Sequence, residues 1–293
     1  MACRPRQHPV RRFPATREIA PDLPPRTDAA QARSMRPLLL FVFILGWVAH
    51  AVEPRPPVAH AHNDYEHPRP LLDALDRGFG SVEADVWLVD GELLVAHDRR
   101  DVRPGRDLRT LYLEPLQARV RAGGGTVHPG QANFVLLVDV KSAAAPTYAA
   151  VAAALADYAA MLTEFEEGRE TRRAVTVILS GNRDEAALRV APRRLVAMDG
   201  RRAHLDSPLP ATLIPWISEN WRTFSPWSWT GPMPEEVRRN LRDWVARAHA
   251  RGRRLRFWNV PDTPAAWSEL CAAGVDVIGA DDLAGLQTFL AQP

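Results

Sequence analysis

Eight short apolar runs, spaced between residues 58 and 280 and separated by amphipathic or Ala-rich stretches, constrain this chain more than any other feature. They fall at 58–61, 81–89, 134–140, 175–180, 194–198, 213–218, 255–260 and 275–280, and their Val, Leu and Ile content reads as buried strand. Helix candidates occupy 70–77, 108–121, 146–167, 184–190, 234–251, 263–273 and 283–290. Several open at Pro or Asp, and two stop at Gly78 and Gly274, the usual asymmetry of helix ends. Strands that alternate with helices favour a parallel sheet. The expectation is therefore α/β, a single-domain (β/α)8 TIM barrel over 58–293, close to the roughly 250 residues typical of that fold. Only 199–215 offers no convincing helix. Asp90-Gly91 predicts a hairpin, with 92–96 folding back along the second strand and delivering His97 to its rim.

The N-terminal region reads differently. Residues 1–34 are rich in Arg and Pro without apolar periodicity, which suggests a disordered or non-native extension. Met35-Arg36-Pro37, the apolar run 38–49 and Ala49-His50-Ala51 then supply the three parts of a secretory signal peptide at 35–51. That run is shorter than the roughly 20 apolar residues of a membrane span. The expectation is cleavage near Ala51, a Pro-rich linker at 52–57, and an exported domain, periplasmic or secreted. Eight arginines and three acids precede Val52, which leaves 29 basic and 32 acidic residues in the remaining 242. No electrostatic case for nucleic acid survives that balance. Cys271 is the one cysteine beyond the expected cleavage point, so the domain, expected to be a monomer, is held by its core rather than by a disulfide.

Four polar groups close apolar runs: His60-Ala61-His62-Asn63-Asp64, Glu83-Ala84-Asp85, His97-Asp98 and Asp139-Val140-Lys141. Side chains alternate along a strand, so Glu83 and Asp85 project to one side. The C-terminal strand ends of a barrel meet at one mouth. With Asp139 they place three carboxylates around one point, an oxygen set suited to one divalent cation, Mg2+ or Ca2+. Without a cation they would raise one another's pKa. Histidines on either side of the metal would serve as general base and general acid, His97 being one and His60 or His62 the other. Lys141 is the only lysine among 37 Lys and Arg residues, a compact point charge that would add positive charge beside a phosphate. Trp258, on the seventh strand, is expected to face the mouth and pack on a substrate head group. The stretch from Trp216 to Trp229 is the densest in aromatics; it would wall the substrate cavity, touch a lipid surface, or pack beneath a long loop. His67, His128, His204 and His249 are expected to be exposed.

The order of these motifs resembles that of the PLC-like phosphodiesterase superfamily, which includes glycerophosphodiester phosphodiesterases, bacterial phosphatidylinositol-specific phospholipase C and the venom sphingomyelinase D enzymes. The start Val58-Ala-His-Ala-His-Asn-Asp-Tyr65, with Pro70-Leu-Leu-Asp-Ala-Leu75 behind it, is similar to an exported bacterial phosphatidylinositol-specific phospholipase C/glycerophosphodiester phosphodiesterase subgroup. The stretch Leu255-Arg-Phe-Trp258-Asn259 to Gly274-Val-Asp276-Val-Ile-Gly-Ala-Asp281-Asp282 resembles the last two strands of glycerophosphodiesterases. The resemblance implies His60 and His97 as the acid/base pair and Glu83, Asp85 and Asp139 as metal ligands. It also implies Lys141 and Asn63 near the phosphate, and a glycerol- or lipid-linked phosphodiester as substrate. Two departures matter. His60-Ala-His62 replaces the His-Arg-Gly of glycerophosphodiesterases, so the phosphate-binding Arg is missing and either histidine is a candidate. The third acid is Asp, closer to the venom-type Asp-x-Lys. Two other readings compete: a zinc amidohydrolase-like hydrolase built on His60-x-His62, which needs further histidines at later strand ends, and a non-catalytic ligand-binding barrel.

Overall fold

The strands form where the apolar runs predict them, and they close into a ring. The computed structural model describes residues 57–292; the 1–34 extension, the 35–51 signal-peptide segment with its cleavage point and the linker through residue 56 lie outside the described residues. The barrel strands are β1 (Val58–Ala61), β2 (Ser81–Val89), β3 (Phe134–Val140), β4 (Val175–Gly181), β5 (Val196–Gly200), β6 (Trp216–Asn220), β7 (Arg254–Trp258) and β8 (Val277–Ala280). All eight pair in parallel with their neighbours, and β1 closes the ring by pairing with both β8 and β2. Asp90 and Gly91, at φ 48° and 86°, make the tight turn that returns Glu92–Val95 antiparallel along β2.

Alternation along the strands divides the interior into two levels. Val135 and Leu137 of β3, Ile178 of β4, Ala197 of β5, Trp216 of β6 and Val277 of β8 belong to one buried apolar cluster. Two residues further along four of those strands stand Asp139, Ser180, Asp199 and Ser218, so the same inward face turns polar at the C-terminal mouth. A larger apolar core lies between the strands and the helices. The helices are α1 (Leu72–Leu75), α2 (Glu114–Ala122), α3 (Ala144–Ala156), α4 (Glu185–Val190), α5 (Trp221–Phe224), α6 (Glu235–Ala250), α7 (Pro264–Ala273) and α8 (Leu283–Leu290). Asp184, Thr263 and Asp282 cap α4, α7 and α8 through their side chains, and Gly274 ends α7 at φ 86°.

Several expectations change. The helix expected over 146–167 ends at Ala156, and Glu164–Glu166 instead forms a small antiparallel sheet with Arg169–Thr171 and Arg193–Arg194. Leu155, Tyr158, Met161, Leu162 and Phe165 are all buried, and their spacing imitates a helical face while serving packing beneath that sheet. The strands expected to begin at 194 and 213 begin at Val196 and Trp216. Between β5 and β6 no α-helix forms among the described residues. Buried Arg253 holds that connection, its guanidinium donating to the carbonyls of His204, Leu205, Ser207 and Leu209. His128, expected at the surface, is buried and hydrogen-bonds the Phe79 carbonyl at 2.9 Å.

Candidate active site

Glu83 and Asp85 end up beside Asp139 because β2 and β3 pair in parallel with Asp85 opposite Asp139. One ligand oxygen from each of the three carboxylates lies within 4.8 Å of the others. Each carboxylate has one oxygen held by donors. Asp85 Oδ2 accepts from the Tyr65 hydroxyl at 2.7 Å, from His97 Nδ1 at 3.0 Å and from Lys141 Nζ at 3.0 Å. Asp139 Oδ2 accepts from Lys141 Nζ at 2.6 Å. Glu83 Oε2 accepts from His60 Nε2 at 3.2 Å and from Arg256 Nη2 at 2.5 Å. The second oxygens of Asp85 and Asp139, both Oδ1, are buried with no hydrogen-bond partner.

Buried carboxylate oxygens without partners, on two of three converging carboxylates, fit a hard divalent cation. The electrostatics agree. Burial pushes Asp85 up to about 6, with Glu83 and Asp139 adding to the rise against the opposition of Lys141 and Tyr65. Burial and Glu83 likewise raise Asp139. Burial alone would raise Glu83 too, but Arg256 and the hydrogen bond from His60 hold it well below the usual carboxylate range. Among the described residues, this carboxylate trio is the one group of three or more His, Cys, Asp or Glu placed to hold a metal. The two histidines of His60-x-His62 go to different partners, Glu83 and Asp281, and among the described residues no third histidine forms a metal group with them.

The histidines differ sharply in depth. His60 has no exposed surface; its Nδ1 meets Ser81 Oγ at 2.8 Å, and burial followed by Arg256 lowers its pKa to about 4. His62 lies just beyond β1 with its side chain 31% exposed and Nδ1 donating to Asp281 at 2.8 Å. Burial lowers its pKa, but the Asp281 hydrogen bond and the field of Glu83 outweigh that, and the net shift is upward. His97 is the most open, 55% exposed at its side chain. Asn63, in a left-handed conformation that Asn tolerates (φ 46°), has its side-chain oxygen 2.8 Å from the Tyr65 hydroxyl. Trp258 is 40% exposed at the end of β7, on the same face of the strand as Arg256.

Five further residues shape the site. Tyr65, Ser81, Arg256 and Asp281 touch the residues just described, and Gly181 leaves room for them. A Cβ at Gly181 would sit 2.1 Å from Asp139 Oδ1 and 2.4 Å from the Val140 carbonyl, and φ there is +61°. One signal lies in the sequence: Arg256 stands inside β7 between buried Leu255 and Phe257, where an arginine needs an internal anion. Across the mouth, Asp199 accepts hydrogen bonds from Ser180 at 3.0 Å, from Ser218 at 2.7 Å and from Arg201.

Comparison with known proteins places the chain in a family. Residues 49–123 match the AIM6-like phosphodiesterase domain. The chain is 31% identical to Altered inheritance of mitochondria protein 6 of Eremothecium gossypii, with 78% of this chain and 68% of that protein covered. It is 28% identical to the protein of the same name in Lachancea thermotolerans, covering 78% of this chain and 64% of that protein. Among solved structures, the barrel is similar to a Ca2+-dependent phosphatidylinositol-specific phospholipase C from Streptomyces antibioticus. That match has a TM-score of 0.55 and 14% identity, over 80% of this chain and 96% of that one.

Proposed function

The chain belongs to the AIM6-like phosphodiesterase family, within the PLC-like phosphodiesterase superfamily, and we propose that it is an exported, metal-dependent hydrolase of glycerol- or lipid-linked phosphodiesters. The observation that carries the reading is the pair of bare, buried oxygens on Asp85 and Asp139 beside Glu83, with two partly open histidines close by. Glu83, Asp85 and Asp139 would hold one Mg2+ or Ca2+, which when bound supplies positive charge to a phosphate oxygen.

The chain's own residues divide the remaining work. His62 is assigned as the general base: Asp281 fixes the proton on Nδ1, which leaves Nε2 to accept a proton from the attacking oxygen. His60 is a positioning residue, since it is sealed and its Nε2 proton is donated to Glu83. His97 is the general acid; its Nδ1 is anchored on Asp85, so its Nε2 can protonate the leaving oxygen. Lys141, between Asp85 and Asp139, and Asn63, tied to Tyr65, line the phosphate position. Trp258 at the rim packs on the head group. Export rests on the 35–51 segment of the sequence alone.

The test is turnover of bis(p-nitrophenyl) phosphate and of glycerophosphodiesters by the full chain, after chelation and then with Mg2+, Ca2+ or Zn2+. Activity should return with Mg2+ or Ca2+, and should disappear in His62→Ala, His97→Ala and Glu83→Ala. Silence with every metal would support the binding-barrel reading. Activity with Zn2+ alone would overturn the hard-cation assignment.

A further inference from the structure

The aromatic stretch after β6 does more than fill the core. Trp221 of α5 packs with Trp227 and Trp229 of the following loop at tilted angles, with ring centroids 4.3 Å apart for Trp221–Trp229 and 4.7 Å for Trp227–Trp229. Phe257 of β7 backs the cluster, 5.4 Å from Trp221. Against these rings lies a half-open cavity of about 460 Å3, lined also by Val260 and Pro261 of the loop after β7 and by Arg222. That volume falls within the roughly 300–1,000 Å3 of small-molecule sites.

The walls are built in a way that costs stability. Trp229 is held at φ +65°, a left-handed conformation that is strained for a bulky side chain, and its indole N–H is buried with no acceptor. The other two indoles spend their N–H groups on loop carbonyls: Trp221 donates to the Trp227 carbonyl at 2.9 Å and Trp227 to the Thr230 carbonyl at 3.2 Å. The cavity is thus lined by the three indoles with Pro226, Val260 and Pro261 as its apolar part, and by Arg222, Ser225, Ser228 and Asn259 as its polar part. No acidic residue lines it, and Arg222 in its lining sets a like charge against any cationic head group.

The loop that lines the cavity is also linked to the site by hydrogen bonds. Asn259 and Asn220 join the rims of β7 and β6 at 3.3 Å. Three residues past Asn259, Asp262 accepts the backbone N–H groups of Asp281 at 2.8 Å and Asp282 at 2.7 Å. Asp281 is the residue that holds His62. One loop therefore lines the cavity and fixes the partner of the proposed base.

We propose that this cavity receives the single alkyl or acyl chain of a monomeric lipid phosphodiester, so that the substrate is a one-chain lipid rather than a water-soluble glycerophosphodiester. The proposal rests on the phosphodiesterase reading for the placement of the phosphate, while the cavity can be tested without turnover. The experiment uses the full chain and a series of alkyl p-nitrophenyl phosphodiesters from methyl to decyl, kept below their aggregation concentrations. It is paired with quenching of tryptophan fluorescence by a decyl phosphonate monoester tipped with bromine.

The expected result is a kcat/KM that climbs by roughly fourfold per added methylene until the cavity is full, together with saturable quenching. Val260→Trp, which fills the space, and Trp227→Leu, which removes a wall, should both flatten the series. Thermal melts would confirm that each variant folds, and the wild-type series decides the matter if either does not. Turnover with no dependence on chain length and no quenching would overturn the cavity assignment and leave the phosphodiesterase standing. Saturable quenching without any turnover would support the cavity and refute the phosphodiesterase. Quenching that needs lipid vesicles would also overturn the proposal, because it would assign the tryptophans to a membrane surface.

Discussion

Replacing Asp64 by Asn should reverse part of the pH dependence of folding, by an amount the structure sets. Asp64 is fully buried directly after His62 and Asn63, where Oδ2 accepts the Leu71 N–H at 2.5 Å and the Tyr112 hydroxyl at 2.9 Å while Oδ1 has no partner. Burial pushes its pKa from 3.8 up to about 7 in spite of those two hydrogen bonds, so the folded chain holds it neutral where the unfolded chain ionises it. A raised folded pKa contributes stability that is complete below 3.8 and is lost as pH rises through about 7. At about 1.4 kcal/mol for each pH unit between those limits, the loss is about 4 kcal/mol. Asn preserves the shape and cannot ionise; its own unpaired amide hydrogens impose a penalty independent of pH. Urea titrations of wild type and Asp64→Asn from pH 4 to 8 should show the variant gaining, relative to wild type, about 4 kcal/mol across that range. Other titrating groups, including His60 with its opposite slope, cancel in the difference. A difference that stays flat within about 1 kcal/mol would refute the claim that Asp64 is neutral in the fold.

Three further outcomes follow from the site geometry. Gly181→Ala should displace Asp139, since its Cβ would sit 2.1 Å from Oδ1, and metal affinity measured by calorimetry should fall along with about 2–5 kcal/mol of stability. Arg256→Ala would leave the Glu83 carboxylate buried without its guanidinium, so urea unfolding near neutral pH should register a loss of about 3–5 kcal/mol. Asp281→Asn removes the partner that raises the His62 pKa. The acidic limb of the kcat/KM profile, where the base must lose its proton, should then move to lower pH; a limb that stays in place would exclude His62 as the base.

What could be read in the sequence was whatever depends on strand period and local signals. Val and Leu runs mark strands buried on both faces, and the spacing Glu83-x-Asp85 together with Asp139 fixes three acids on inward positions once β2 and β3 pair. Glu167 and Gly168, at φ 49° and 79°, form a hairpin turn without the Asn-Gly or Asp-Gly signature that disclosed the turn at Asp90-Gly91. The partners that define the chemistry are remote in sequence: Arg256 lies 173 residues from Glu83, and Asp281 lies 219 residues from His62.

The choice between His60 and His62 shows the limit most clearly. A period of two gives both residues the same direction, so alternation cannot separate them; only depth can. His60 pairs in register with Gly279 on one side and Ser81 on the other, level with strand backbone all around it. Gly279 lies against the imidazole, where even an added Cβ would make only an ordinary contact 3.5 Å from Cδ2. His62 has already passed the end of β1, where its neighbour is the Asp281 carboxylate rather than a strand. Buried and lowered to about 4, His60 resists taking up a proton, whereas His62 is partly open and raised by its partner. A general base must reach substrate and bind a proton near working pH. Ring closure, which the local sequence does not display, therefore separates two histidines that are chemically identical and two residues apart.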